Sequence, residues 1–112
     1  MVVCSLEQNV ASAVYAYAEG VGTTASGQGS HAEGAFSTAS GDVSHAEGRL
    51  TIASGIFSHS EGWATTAHGR NSHAEGYYTL ALGESSHTEG YKTAACGYCE
   101  HVFGKYNIAT SV

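Results

Sequence analysis

The five residues Ser-His-Ala-Glu-Gly stand at 30–34 and return at 44–48 and 72–76, with SHSEG at 58–62, SHTEG at 86–90 and a degenerate EHVFG at 100–104. The period is fourteen residues throughout, and running it backwards finds AYAEG at 16–20. A second motif keeps the same period half a unit away: TTASG at 23–27, STASG at 37–41, TIASG at 51–55, TTAHG at 65–69, TLALG at 79–83 and TAACG at 93–97. Each fourteen is therefore two sevens, and thirteen of the fifteen glycines lie on one ladder of seven from Gly20 to Gly104. A chain that repeats this strictly is read as a stack of similar units before any other fold is considered.

A seven-residue period also suggests a coiled coil, which requires two apolar positions per heptad. Here the repeated columns are Ala, Ser, Thr, Gly, His and Glu. A glycine every two turns would cost a helix roughly 1 kcal/mol each relative to alanine. What remains is a pair of short strands per unit, of roughly five residues each, ending at glycine turns that accept positive φ. The fold class is all-β: a β-solenoid of 14-residue coils, each rung stacking on the next at about 4.8 Å. Residues 9–112 make about seven such coils, and residues 1–8 read as an N-terminal cap or linker. "LEQNVASAVYAY" continues the roll for half a coil, and "NIATSV" at 107–112 supplies the second strand of a last one.

Strand parity assigns the faces, since successive side chains alternate sides. Ser30, Ala32 and Gly34 share one face, and His31 and Glu33 the other. A coil of two strands is too thin to enclose imidazoles, so the inward columns are Ser/Ala/Gly in one strand and Ser37, Ala39, Gly41 with their equivalents in the other. Such an interior buries little apolar area against a chain entropy of ~1–2 kcal/mol per residue. Association with copies of itself is the economical remedy.

Composition limits function further. Net charge is −6 with four basic residues, which disfavours nucleic acid and anionic membranes as partners. No stretch is long and apolar enough for a membrane-spanning helix. The start "MVVCSLEQNV" lacks the order of a secretion signal, so the chain reads as a cytoplasmic product, a particle component or a fragment of something longer. Cys96 and Cys99 are spaced C-x-x-C but follow a turn and not a helix start, so no redox motif is read there. No cofactor is implied. No Ser-His-Asp or Cys-His order stands out, and groups replicated along a rod do not converge in one pocket, so no catalytic residue and no enzyme activity are assigned. The Thr24-Ser26 and Thr38-Ser40 face resembles flat threonine arrays of ice-binding solenoids, but it gives way to Ile52, His68, Leu80 and Cys96.

The unit seen in "GAFSTASGDVSHAEG" and "GYYTLALGESSHTEG" resembles the head repeat of trimeric autotransporter adhesins. That resemblance implies a left-handed parallel β-roll in a tight homotrimer. The SHAEG variant and the terminal "FGKYNI" are similar to repeats of phage tail and appendage proteins. The implied location is an extracellular fibre or a phage particle. In adhesin heads the two outward positions of the first strand are Val and Ile, which the resemblance places toward the trimer centre. Here those columns are His31, His45, His59, His73, His87 and His101, and Glu19, Glu33, Glu47, Glu61, Glu75 and Glu89.

Two polar ladders thus replace aliphatic ones. Six carboxylates stacked on an exposed column would repel one another, while neighbouring turn positions vary freely, which favours a His–Glu intersubunit interface. A carboxylate accepts from imidazole N–H whether or not the ring is charged. A plainly solvated face and a transition-metal site stand as alternatives, although no metal ligand is assigned, because each His already has a Glu neighbour. The aromatic residues fall at or beside turns, and Phe36, Trp63, Tyr77, Tyr78 and Tyr91 form a candidate outer surface for a host glycan or surface protein; packing over coil edges is the simpler explanation. The function expected is a non-enzymatic trimeric fibre or head segment, structural or adhesive. A metal-binding, filament-forming or lattice-forming solenoid is the alternative.

Overall fold

A computed structural model describes residues 8–109. The cap or linker at 1–8 falls almost wholly outside them. Strands alternate strictly between two parallel sheets. The first holds β1 (Val10–Ala11), β3 (Thr24–Ala25), β5 (Thr38–Ala39), β7 (Ile52–Ala53), β9 (Thr66–Ala67), β11 (Leu80–Ala81), β13 (Ala94–Ala95) and β15 (Ile108–Ala109). The second holds β2 (Tyr17–Ala18), β4 (His31–Ala32), β6 (His45–Ala46), β8 (His59–Ser60), β10 (His73–Ala74), β12 (His87–Thr88) and β14 (His101–Val102). Every pairing joins residues fourteen apart, such as His45↔His59 and Ala39↔Ala53. The result is a parallel β-solenoid, a slab of 51 × 29 × 13 Å.

The strands are two residues long and not about five, because the corners use the remaining residues. At the corner leading from the second sheet to the first, a further ladder one residue wide joins Val21, Ala35, Arg49, Trp63, Tyr77, Tyr91 and Lys105. Hydrogen bonding between coils therefore continues around this bend: Glu33 N–H donates to Ala46 O at 2.9 Å and Ala35 N–H to Gly48 O at 2.8 Å.

The glycine ladder serves two purposes. Gly34 and Gly62, at the corner just described, have φ near +100°. Gly41 and Gly69, at the opposite corner, do not. What both sets share is axial contact, since a Cβ on Gly62 would lie inside the carbonyl oxygen of Gly76, and one on Gly69 inside that of Gly83.

The remaining positive φ falls on a second ladder of seven, two residues after the first. It runs through Phe36, Val43, Leu50, Phe57 and Ala64 to Tyr106, all at φ between 53° and 60°. Gly22 and Gly29, the two glycines off the main ladder, sit on it at 64° and 67°. The left-handed conformation turns each N–H back toward the preceding coil: Phe36 N–H donates to Val21 O and Val43 N–H to Gln28 O, both at 2.8 Å.

The interior follows the parity reading. Ala25, Ala32, Ala39, Ala46, Ala53, Ala67, Ala74 and Ala81 are completely buried. Flanking hydroxyls close the corners: Thr65 donates to Glu61 O at 2.9 Å, Thr79 to Glu75 O at 3.0 Å, and Ser72 to Gly69 O at 2.6 Å. In these cases a buried hydroxyl finds an acceptor in the bent backbone three or four residues earlier, whereas Ser30, Ser44 and Thr51 in the same columns make no hydrogen bond among the described residues. Large side chains such as Ile52, Leu80, Leu82 and Trp63 stay exposed on the outside.

Candidate functional site

The second sheet carries both polar ladders on its outer face. Its period-2 geometry aims each imidazole and the carboxylate two residues later away from the alanine core. The in-register pairing then stacks the rings: His31, His45, His59, His73, His87 and His101 form one column with centroids 4.5–4.8 Å apart and planes within 7° of parallel. Tyr17 caps the column at 5.2 Å from His31, and Phe103 lies 5.5 Å from His101.

Each glutamate reaches forward to the histidine of the next coil. The Nε2 of His45, His59 and His73 lies 2.8 Å from Glu33, Glu47 and Glu61 respectively. The pairs Glu19–His31, Glu75–His87 and Glu89–His101 close at 3.1, 3.2 and 3.3 Å. The histidine of the same coil lies further off: 3.9 Å from Glu33 to His31, 3.8 Å from Glu47 to His45 and 3.9 Å from Glu61 to His59. The ladders therefore interlock as one line of alternating imidazole and carboxylate. The repulsion expected of bare stacked carboxylates is relieved inside the single chain, so that argument does not by itself require a second subunit.

The ladder imidazoles from His31 to His87 are about a third exposed, at 33–35% of the side chain. The seventh histidine, His68, lies on the other sheet, its Nδ1 2.9 Å from Ser54 Oγ. That sheet's outer face mixes Thr24, Thr38 and Thr66 with exposed Ile52, Leu80 and Leu82.

The aromatic residues divide between the two corners. Trp63, Tyr77, Tyr78 and Tyr91 come together on one edge, with ring centroids 4.9 Å apart for Trp63–Tyr77, 4.6 Å for Tyr77–Tyr78 and 5.1 Å for Tyr77–Tyr91. Phe36 shares this edge but lies coils away from the cluster; Phe57 and Tyr98 are on the opposite edge. Tyr106, Lys92 and Lys105 were not singled out from sequence, yet they complete the group. Tyr106 stacks edge-on against Tyr91 at 5.5 Å, and the Lys92 and Lys105 amines sit 5.3–6.0 Å from the rings of Tyr78, Tyr91 and Tyr106. The signal was their position in the same corner columns, residues 91–92 and 105–106.

On the opposite edge Cys96 and Cys99 are exposed free thiols. Beside them the Tyr98 phenol is raised above its ordinary range, chiefly by a hydrogen bond with Cys99 and by its charge, with Glu84 adding to the effect.

These features define a class: a thin parallel β-solenoid whose functional groups are repeated along flat faces instead of gathered in one cleft. Two copies of the YadA head domain repeat match the chain, over residues 18–44 and 64–86. Over those stretches the repeat is similar to that of trimeric autotransporter adhesin heads. No curated protein matches the chain.

Proposed function

We propose that this chain is a trimeric, non-enzymatic fibre segment in which the His–Glu face packs against two further copies. The observation that carries the reading is the uniformity of the interlocked ladder along one flat sheet, joined to an interior of alanine, serine and threonine that leaves larger apolar side chains uncovered. Each carboxylate already partners an imidazole Nε2 within the chain, so burial in a contact leaves only the ring Nδ1 and the second carboxylate oxygen to be partnered by the other copies. The opposite face, with Ile52, Leu80 and Leu82, is the competing interface.

The mass of the particle in solution separates these alternatives. Three chains are expected, a state that survives Leu80→Asp with Leu82→Asp and is lost when His45, His59 and His73 are all changed to Asp. A native monomer refutes trimerisation. A trimer dissolved by the leucine changes but not by the histidine changes moves the interface to the other sheet.

An adhesive role is supported by the cluster of Trp63, Tyr77, Tyr78, Tyr91 and Tyr106. Stacked rings offer flat apolar faces to sugar rings, and three of the four basic residues, Arg49, Lys92 and Lys105, lie on the same edge of a chain of net charge −6. The ligand this favours is an acidic saccharide. Heparin oligosaccharide is the probe: binding should fall at least tenfold in Trp63→Ala with Tyr91→Ala and be unchanged in Phe57→Ala, and equal loss in both would remove the assignment.

A further inference from the structure

We infer that the His–Glu ladder is a linear array of divalent transition-metal sites, each built from two successive histidines and the glutamate between them. Five overlapping sets occur among the described residues, including His31–Glu33–His45, His45–Glu47–His59 and His59–Glu61–His73, and in each the donor atoms lie within 4.8 Å of one another. Neutral imidazole with carboxylate is a donor set that suits zinc, nickel or copper. Bonds of about 2.0–2.1 Å in tetrahedral geometry place two donors about 3.3 Å apart. The carboxylate in the second set is 2.8 Å from one imidazole nitrogen and 3.8 Å from the other, so these separations straddle the required value. The two ring nitrogens must close by a further step. Because the rings are stacked nearly parallel, their lone pairs do not yet converge, and binding must turn each ring out of the column. Imidazoles about a third exposed on the flat sheet of a single chain have room for that turn.

Neighbouring sets share a histidine, which limits filling. Divalent ions in adjacent sets would stand about one coil apart, near 4.8 Å, and would compete for the shared ring. Alternate filling avoids both problems and uses His31–Glu33–His45, His59–Glu61–His73 and His87–Glu89–His101. Three divalent ions then balance the six ladder carboxylates. The sites lie within one chain but on the face that the trimer reading buries, so the mass of the particle is measured on the same samples with and without Zn²⁺ to keep the two separable.

The test is equilibrium dialysis of Zn²⁺ against the full chain, with every thiol alkylated so that Cys96 and Cys99 cannot bind. Saturation at three ions per chain is expected. Glu33→Gln, Glu61→Gln and Glu89→Gln together remove one register but leave His45–Glu47–His59 and His73–Glu75–His87 intact, so saturation should drop to two. His45→Asn with His73→Asn leaves only the set at His87, Glu89 and His101, and saturation should drop to one. In the native chain, Zn²⁺ should shift the ladder imidazole proton resonances on NMR, the signature of rings leaving the stack. No saturable binding, or a stoichiometry unmoved by either variant, overturns the inference.

Discussion

The glycine ladder should divide into two energetic classes under a single added methyl group. Gly62→Ala places a Cβ at φ +103°, where L-residues are strained, and drives it into the Gly76 carbonyl oxygen. The backbone strain costs about 1–3 kcal/mol. Forcing the coils apart weakens two hydrogen bonds at that corner, Arg49 N–H to Gly62 O and Trp63 N–H to Gly76 O, each 2.9 Å. At about 0.5–1.5 kcal/mol per bond, the whole change amounts to roughly 2–6 kcal/mol. Gly69→Ala meets the Gly83 carbonyl in the same way but lacks the φ penalty, so it should cost about 1–3 kcal/mol. Ala64→Gly is the control. Its φ is already +58°, relief of strain offsets the added chain entropy, and the net effect should stay within about 0.5 kcal/mol. Urea unfolding of the three variants gives the ranking. If Gly69→Ala behaves like the control, close axial approach is not what reserves that corner for glycine.

Four further outcomes are expected. Val43→Gly should stabilise by about 0.5–1 kcal/mol in the same assay, because a β-branched residue at φ 53° is strained by more than glycine's entropy costs. Thr88→Val should stabilise by about 1–2 kcal/mol, since the buried Thr88 hydroxyl has no hydrogen-bond partner among the described residues and Val102 shows that the column accepts valine. His45→Asn, His59→Asn and His73→Asn together should lower the melting temperature, because each removes one imidazole–carboxylate pair, with Glu33, Glu47 and Glu61 respectively, at about 0.2–1 kcal/mol per partly exposed pair. Absorbance titration should find the Tyr98 phenol above the ordinary tyrosine range, and Cys99→Ala should bring it back down.

Most of the architecture was legible because each column of the solenoid is a column of the sequence. Parity alone placed Ala32 and Ala39 inside and His31 and Glu33 outside. The corners were less legible. Phe36, Asn71 and Lys92 share a left-handed backbone but no chemistry, since the conformation is imposed by a hydrogen bond to the preceding coil and not by residue type. Only Gly22 and Gly29 hinted at it. The sequence also could not say to which coil a glutamate leans: Glu47 stands two residues from His45 yet bonds His59, because that choice depends on how the carboxylate crosses the step between rungs. The aromatic edge was half visible, its lysines hidden until the corner columns aligned.

The alternation of φ along the glycine ladder limits how such a chain can change length. Two sevens look interchangeable as text, since each ends in glycine, but Gly62 is left-handed and Gly69 is not. Duplicating or deleting seven residues would set a Thr-Ala strand against a His-Ala strand, put each glycine at the wrong kind of corner and break the imidazole column at the join. Fourteen residues leave every column intact. Recombination within the gene is therefore tolerated in whole coils only, and a fibre assembled from this segment can lengthen only in steps of one rung, about 4.8 Å each.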